Sequence, residues 1–393
     1  MRLYVLTQEF IPPFFGGSAF YYYHILAHLA GCDVTVFAPP IEGARATDSN
    51  RPYATVRPWY LPFSGPKQPT KLRKMLMLVC MPFHVGWWCL RRRPDVLVAA
   101  QPYFVGLVTL LISRLFRIPY VVVMHSEELT IAQGASVGLQ NMVIRSAAHA
   151  ITSCSATAEY IRDKRGRSGP IAAVLPGVEV PEPVEQARLE ALRDNLSISS
   201  DEKVLLFFGR LIERKGGHLV IEALPEIIRR IGPCKFIIAG GGPARARLER
   251  LTSDLHLGEH VIFAGHLKSE DVPQYFALCH CFVLANFALN LASGGVDLEG
   301  FGITLLEAQA AGRPVVAGIA GGSSDSVADG ETGLLVDPTD REQLVSAIVR
   351  ILGDEDYARR LGERGRRRAQ AEFSWAEKAR QFCSVLESAA RGK

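Results

Sequence analysis

At 393 residues the chain is longer than a single ordinary hydrophobic core supports, so two domains are expected. A composition of 48% hydrophobic and 21% charged residues, with 35 glycines and 23 prolines, excludes a disordered or collagen-like chain, and eight scattered cysteines without a C-x-x-C pair exclude a disulfide framework or a zinc finger. The net charge of +4 is modest and accompanies no nucleic-acid recognition motif, so no nucleic-acid partner is expected, and a reducing cytosol fits the cysteine usage.

The opening M-R-L-Y-V-L-T-Q-E-F lacks the layout of a secretory signal and predicts a buried strand over 2–6. The loop Ile-Pro-Pro-Phe-Phe-Gly16-Gly17-Ser18 then leads to a helix predicted over 18–29. Its paired glycines would let a phosphate or sugar approach the backbone, although Gly-Gly is also common in plain turns. His24 and His28 stand at helical spacing with no third ligand nearby in sequence and read as packing. Further strands are predicted over 33–37, 95–99, 120–124, 149–152 and 171–174, with a helix over 103–116.

Two apolar stretches, 75–90 and 96–113, are interrupted by Pro82 and His84 and by Gln101-Pro102. Neither reaches the roughly 20 clean apolar residues of a membrane span, and none is expected. Between residues 60 and 120 lie nine basic side chains (Lys67, Lys71, Arg73, Lys74, Arg91, Arg92, Arg93, Arg114, Arg117) against the single acid Asp95, with Trp87 and Trp88 beside the arginine run. Two readings stay open: a helix resting on anionic lipid, or the solvated basic face of a packed helix. His125 follows the predicted strand Y-V-V-V-M and precedes Ser126-Glu127-Glu128. That position suits a histidine that hydrogen-bonds a sugar hydroxyl or carries a proton, with a buried structural histidine as the alternative.

The proline- and acid-rich segment L-P-G-V-E-V-P-E-P-V-E, residues 175–185, interrupts the alternation and reads as a linker. Beyond it, strands are predicted over 203–208, 235–239, 261–264, 281–285, 314–317 and 334–336, with helices between. The closing segment 340–388 reads as helical, broken at Phe373–Trp375. Alternation of this kind predicts two doubly wound α/β domains, 1–178 and 184–371, with ligands held outside the carboxyl ends of their strands. The Cys279-His280-Cys281 cluster sits where a strand enters the core and reads as packing.

In the second half, Gly209-Arg210-Leu-Ile-Glu-Arg-Lys215-Gly216 joins a strand to a helix, and two cations in such a loop can neutralise a diphosphate. The stretch Glu299-Gly300-Phe301-Gly302-Ile303-Thr-Leu-Leu-Glu307, preceded by Gly294-Gly295, places glycines ahead of a helix start, where unpaired amides attract an anion. Glu299 and Glu307 would then flank a bound diphosphate and be available to hydroxyl groups. A Gly-x-Gly before a helix is also often only a tight connection.

Taken in order, the early Gly-Gly loop, the strand-end histidine, the G-R-L…R-K-G loop and the E-x7-E pattern resemble glycosyltransferase family 4 over nearly the whole chain. More narrowly, G-G-V-D-L-E-G-F-G-I-T-L-L-E-A-Q-A-A-G-R-P-V-V-A-G and the later F-S-W are similar to actinobacterial phosphatidylinositol mannoside mannosyltransferases, while the S-E-E after His125 departs from that group. The resemblance implies a GT-B architecture of two Rossmann-like domains facing a cleft, with residues 372–393 packing back on the N-terminal, acceptor-binding domain. It implies Glu307 on the nucleotide ribose, Arg210 and Lys215 on the diphosphate, and Glu299, Gly300, Phe301 and Gly302 around the transferred hexose, with Ile303 opening the helix. His125 falls on the acceptor side, and Gly16, Gly17, Gly265 and His266 are counted with the nucleotide-sugar residues. Retention of configuration without a metal is implied, with GDP-mannose favoured over a UDP-sugar. A lipid-linked or glycan acceptor at the cytoplasmic face of an anionic membrane is implied as well, the enzyme associating peripherally. The same fold also serves nucleotide-sugar 2-epimerases and non-catalytic nucleotide-sugar binding proteins, and an inverting transferase would need His125 as its base.

Overall fold

The computed structural model of the chain describes all residues except 12–15, 42, 62–69, 127–134, 292–295 and 393. Pro12–Phe15, Lys67, Glu127, Glu128, Gly294 and Gly295 of the sequence reading therefore lie outside the described residues. The chain divides into two compact units, one of Met1–Gly177 with Trp375–Lys393, the other of Val178–Ser374.

In the first unit, β1 (Arg2–Leu6), β2 (Asp33–Phe37), β3 (Ala54–Val56), β4 (Val96–Ala99), β5 (Tyr120–Met124), β6 (His149–Thr152) and β7 (Ile171–Ala173) form a parallel sheet in the order β3-β2-β1-β4-β5-β6-β7. The connecting helices are α1 (Gly16–Ala27), α2 (Ala44–Asp48), α3 (Lys71–Arg91), α4 (Phe104–Phe116), α5 (Ala135–Ser146) and α6 (Ser155–Arg165). Strand residues alternate between two cores, as a sheet covered on both faces requires. Leu3 and Val5 join Tyr21, Ile25, Trp375, Phe382 and Leu386 on one side, whereas Tyr4 and Leu6 join Met77, Met81, Val85 and Val108 on the other. The edge strand β3 has no counterpart in the sequence reading; three half-exposed residues are too few to show a period.

The second unit opens with α7 (Gln186–Asn195) and carries β8 (Lys203–Phe208), α8 (Gly217–Ile231), β9 (Cys234–Ala239), α9 (Arg245–Asp254), β10 (Val261–Gly265), α10 (Val272–Leu278) and β11 (Cys281–Leu284). A two-residue ribbon, β12 (Leu289–Asn290) with β13 (Val296–Asp297), precedes α11 (Ile303–Ala310), β14 (Val315–Gly318), α12 (Ser323–Ser326) and β15 (Gly333–Val336). Then follow α13 (Arg341–Gly353) and α14 (Glu355–Glu372). The sheet is parallel in the order β10-β9-β8-β11-β14-β15 around one continuous core. The helix α15 (Trp375–Arg391) belongs to the first unit, where Trp375 stacks on His24 with ring centres 4.7 Å apart and planes 14° apart. His24 and His28 are thus engaged in packing: the ring nitrogen Nδ1 of His28 lies 2.7 Å from the His24 carbonyl. In the Cys279-His280-Cys281 cluster both cysteines are fully buried and His280 Nδ1 accepts the Val204 amide at 3.0 Å.

Candidate functional site

Strands β8 and β11 lie side by side at the centre of the second sheet, and the strand order reverses between them. Ligands of such sheets bind at that point. After β8 the chain turns sharply: Gly209 (φ 149°) donates its amide to Ala239 at 3.0 Å and Leu211 donates to Gly241 at 2.8 Å. A single 3-10 turn, Glu213–Lys215, ends at Gly216 (φ 69°), where a Cβ would overlap the carbonyl oxygen of Ala285 just beyond β11. Left-handed backbone and this close approach leave room for glycine alone. Gly216→Ala is expected to lower stability by about 1–2 kcal/mol from the backbone conformation alone, read as a lower urea midpoint; an unchanged midpoint would show that the loop relaxes freely.

The loop after β11 is built around buried Asn286. Its amide donates to the Ala320 carbonyl at 2.8 Å and to Ser323 Oγ at 3.0 Å, joining this loop to the one after β14. That second loop holds the backbone of Glu299: Gly322 donates to the Glu299 carbonyl at 3.0 Å, and a Cβ on Gly321 (φ 73°) would overlap the same oxygen.

The ribbon and the 3-10 turn together bring four charges into contact. Arg214, only 5% exposed, directs Nε to Asp297 Oδ1 at 2.8 Å and Nη1 to Glu299 Oε2 at 2.6 Å. Lys215 Nζ approaches the same Glu299 oxygen at 3.3 Å. Burial by itself would raise the Glu299 carboxyl, but the charges and hydrogen bonds of Lys215 and Arg214 outweigh it and hold the group down to about 2. Glu299 is therefore an anion throughout the neutral range. Glu307, one turn into α11, contrasts with it. Burial pushes its carboxyl up to about 7, with Lys215 pulling back only in part. Among the described residues no side chain hydrogen-bonds the Glu307 carboxylate. At the start of α11, Gly302 (φ 77°) turns the chain so that the first amides of the helix have no partner within it, an arrangement that favours an anion.

The remaining expected residues fall as follows. Lys215, Glu299, Gly300, Gly302, Ile303 and Glu307 gather around this switch point. Phe301 is buried against Phe373, ring centres 6.1 Å apart, so its side chain serves packing and its backbone faces the loop. Arg210 occupies an exposed position on the loop, whereas its neighbour Arg214, which the sequence reading passed over, is the buried cation. Gly265 (φ 70°) accepts the Gly240 amide at 2.6 Å at the end of β10, and the His266 imidazole rests directly on the Gly241 backbone. Asp297 was also missed; its only signal in sequence is its two-residue spacing from Glu299, which puts both on one side of an extended chain.

Gly16, Gly17 and His125 belong to the first unit. The helix α1 begins at Gly16, two residues earlier than expected, so both glycines form its first turn, and Ser18 Oγ donates to Glu9 at 2.6 Å. His125 sits edge-on to the rings of Tyr21 and Tyr22, at 5.4 and 5.5 Å. Tyr22 donates its hydroxyl hydrogen to the Ala100 carbonyl at 2.5 Å, so the 3.2 Å contact between Tyr22 Oη and His125 Nε2 has the imidazole as donor. Burial pushes His125 down to about 4, leaving it neutral near pH 7.

A second feature of this unit is the outer face of α3 and α4. Lys74 lies over the Phe104 ring at 5.4 Å, and a Cβ on Gly86 would meet Phe116 at 3.4 Å; the shared 30-residue offset means the two helices run side by side in the same direction. Their outer face exposes Leu72, Met75, Val79, Phe83, Trp87 and Leu90 from α3 and Leu111 and Leu115 from α4. Arg91 stacks on Trp87 at 3.9 Å and Arg93 donates to the Arg117 carbonyl at 3.1 Å, gathering basic groups at one end of the face. Trp88 turns inward against Tyr4 and Phe37. Among the described residues no helix is long and apolar enough to cross a membrane, and no cluster of His, Cys, Asp and Glu is disposed to hold a metal ion.

Residues 16–177 match the family model for a glycosyl transferase 4-like domain, and residues 189–368 match that for glycosyl transferases group 1. The GDP-mannose-dependent α-(1-6)-phosphatidylinositol monomannoside mannosyltransferase of Mycolicibacterium smegmatis is 35% identical over 225 residues, 56% of this chain and 57% of that one. The enzyme of the same description from Mycobacterium tuberculosis is 29% identical over 400 residues, 98% of each chain. Among solved structures, sucrose-phosphate synthase from Thermosynechococcus elongatus has a TM-score of 0.78 at 24% identity over 98% of both chains. Anabaena HepE, solved with UDP and glucose, has 0.77 at 20% identity over 99% of this chain and 100% of that one. At such identities the structural likeness is one of fold. Matched by two family models in succession and sharing the parallel Rossmann-like sheets of these neighbours, the chain belongs to glycosyltransferase family 4 and is a hexosyltransferase of the GT-B fold class.

Proposed function

We propose that this glycosyltransferase moves mannose from GDP-mannose, with retention of configuration, onto a lipid-linked acceptor of the phosphatidylinositol mannoside kind at the cytoplasmic face of a membrane. The observation that carries the donor half is Lys215 Nζ, held 3.3 Å from Glu299 beside the amide-bearing start of α11 and the half-buried Glu307. The choice of mannose, of GDP and of the acceptor rests on the mannosyltransferase relatives. In this reading the diphosphate lies at the amides after Gly302, Lys215 and Arg210 neutralise it, and Glu307 accepts a hydrogen bond from the ribose. Glu299 faces the hexose hydroxyls. The bond from the sugar's anomeric carbon to the diphosphate breaks as the acceptor oxygen attacks from the same face, and a diphosphate oxygen takes the acceptor's proton. The two cations supply the charge stabilisation, so the reading calls for no metal. His125, neutral and donating from Nε2, is assigned to the acceptor side.

The test is transfer from GDP-mannose and from UDP-glucose to phosphatidylinositol monomannoside in vesicles, with the product's anomeric configuration assigned by NMR. Retained α-mannose supports the reading. Conversion of donor without acceptor would identify an epimerase instead, and an inverted product would reassign His125 as a base.

Lipid as the acceptor's carrier is supported by the outer face of α3 and α4, where exposed apolar residues adjoin Arg91, Arg92, Arg93, Arg114 and Arg117. Each basic group near an anionic leaflet contributes about 1 kcal/mol. Replacing Arg91, Arg92 and Arg93 with serine is expected to lower cosedimentation with anionic vesicles at least about tenfold at low salt and leave nucleotide binding unchanged. A wild-type protein that ignores such vesicles at low salt would remove membrane docking from the reading.

A further inference from the structure

The buried charges beside the E-x7-E loop are not paired one to one. Asp297 and Glu299 face Arg214 and Lys215, a balanced set of two anions and two cations, yet Glu299 Oε2 is approached by both cations while Asp297 is approached by Arg214. The guanidinium serves two carboxylates through different nitrogens of one rigid fork, Nε at 2.8 Å and Nη1 at 2.6 Å. Lys215 adds a longer, 3.3 Å contact from a flexible stem. The arrangement of Arg214 is itself fixed, since its carbonyl accepts the Phe287 amide at 2.9 Å from the loop after β11.

We infer that Arg214 is a positioning residue that holds Glu299 without help, and thereby frees Lys215 to leave the carboxylate for the diphosphate of an incoming nucleotide sugar. The identity of that anion rests on the function proposed above; the pairing rests on the geometry. If Lys215 departs, Glu299 keeps its charge-assisted hydrogen bond to Arg214 Nη1, and Asp297 keeps its ion pair with Nε. If Arg214 is removed, Lys215 is, among the described residues, the remaining cation in contact with buried Glu299, and its departure would leave that carboxylate without a cation, which is strongly unfavourable. Lys215 would then be locked in place and lost to the ligand.

The experiment compares wild type, Arg214→Met, Glu299→Gln and the double variant as full-length chains, with two readouts: the dissociation constants of GDP and UDP by calorimetry, and the rate at which acetic anhydride modifies Lys215, followed by mass spectrometry without nucleotide. Arg214→Met is expected to weaken diphosphate binding by about tenfold or more and to slow Lys215 acetylation. Adding Glu299→Gln should restore both, bringing affinity within about threefold of Glu299→Gln alone. A merely structural role for Arg214 would leave the rate of Lys215 acetylation unchanged. Equal acetylation rates in wild type and Arg214→Met, or a double variant no better than Arg214→Met, would overturn the inference. Should wild type bind neither GDP nor UDP, the donor reading falls, and the acetylation order alone decides the role of Arg214. If Arg214→Met fails to fold, Arg214→Gln, which keeps a hydrogen-bond donor but no charge, carries the same comparison; the same slowing and rescue are expected.

Discussion

Lys215→Ala is expected to lower turnover by about a hundredfold or more while the donor KM changes far less. Its side chain is 12% exposed and reaches across the turn that begins at Gly209, whose Cβ position lies 3.5 Å from Nζ, to the Glu299 carboxylate. In the free protein this ammonium has a carboxylate partner, so transferring it to the diphosphate of the intact nucleotide sugar gains little, whereas GDP and UDP carry the extra negative charge of the leaving group and gain more. The gain grows as the sugar departs and charge accumulates on the leaving oxygen, where one well-placed donor in a water-poor site is worth on the order of 3 kcal/mol. Arg210, on the exposed part of the loop, works in a more screened position and is expected to matter less than Lys215. Steady-state and single-turnover rates with GDP-mannose distinguish the cases: a rise in KM with unchanged turnover would mean that Lys215 binds ground and transition states alike.

The second large effect concerns Glu307. Burial holds its carboxyl at about 7, above the 4.5 of an exposed glutamate, so the folded chain binds a proton that the unfolded chain has released across that interval. Stability from this group is therefore complete below about 4.5 and is lost as pH rises through about 7. Glu307→Gln, which cannot ionise, is expected to be more stable than wild type at pH 8 by at most on the order of 3 kcal/mol and no more stable at pH 4. Urea titrations at the two pH values measure it, and an equal difference at both would refute the assigned cause. Ligand reverses the balance. A ribose hydroxyl donating to the carboxylate favours its ionised form, so nucleotide diphosphate binding near pH 6 should release a proton, visible as a buffer-dependent heat. Glu307→Ala should weaken that binding about tenfold or more; an unchanged dissociation constant would count against Glu307 as the ribose ligand.

Much of the fold was legible in the chain. Strands buried on both faces read as continuous apolar runs, and those at 2–6, 33–37, 120–124, 149–152 and 203–208 coincide with the observed β1, β2, β5, β6 and β8. The loops that carry Lys215, Glu299 and Glu307 were legible too, because glycines between a strand and a helix mark where backbone must turn tightly. The direction of side chains in those loops was not. An irregular loop has no period, so nothing in R-L-I-E-R-K distinguishes the exposed Arg210 from the buried Arg214; the 3-10 turn and the carboxylates of Asp297 and Glu299, distant in sequence, decide it. Likewise, adjacent tryptophans on α3 carry no label for inside and outside. Rotation of that helix against Tyr4 and Phe37 buries Trp88 and leaves Trp87 exposed under Arg91. Composition and order along the chain determined the family and the glycine-turned loops that join strand to helix, while the ionisation of Glu299 and Glu307, down to about 2 in one and up to about 7 in the other, was decided by tertiary structure, because two like residues eight apart differ only in which cations burial brings to them.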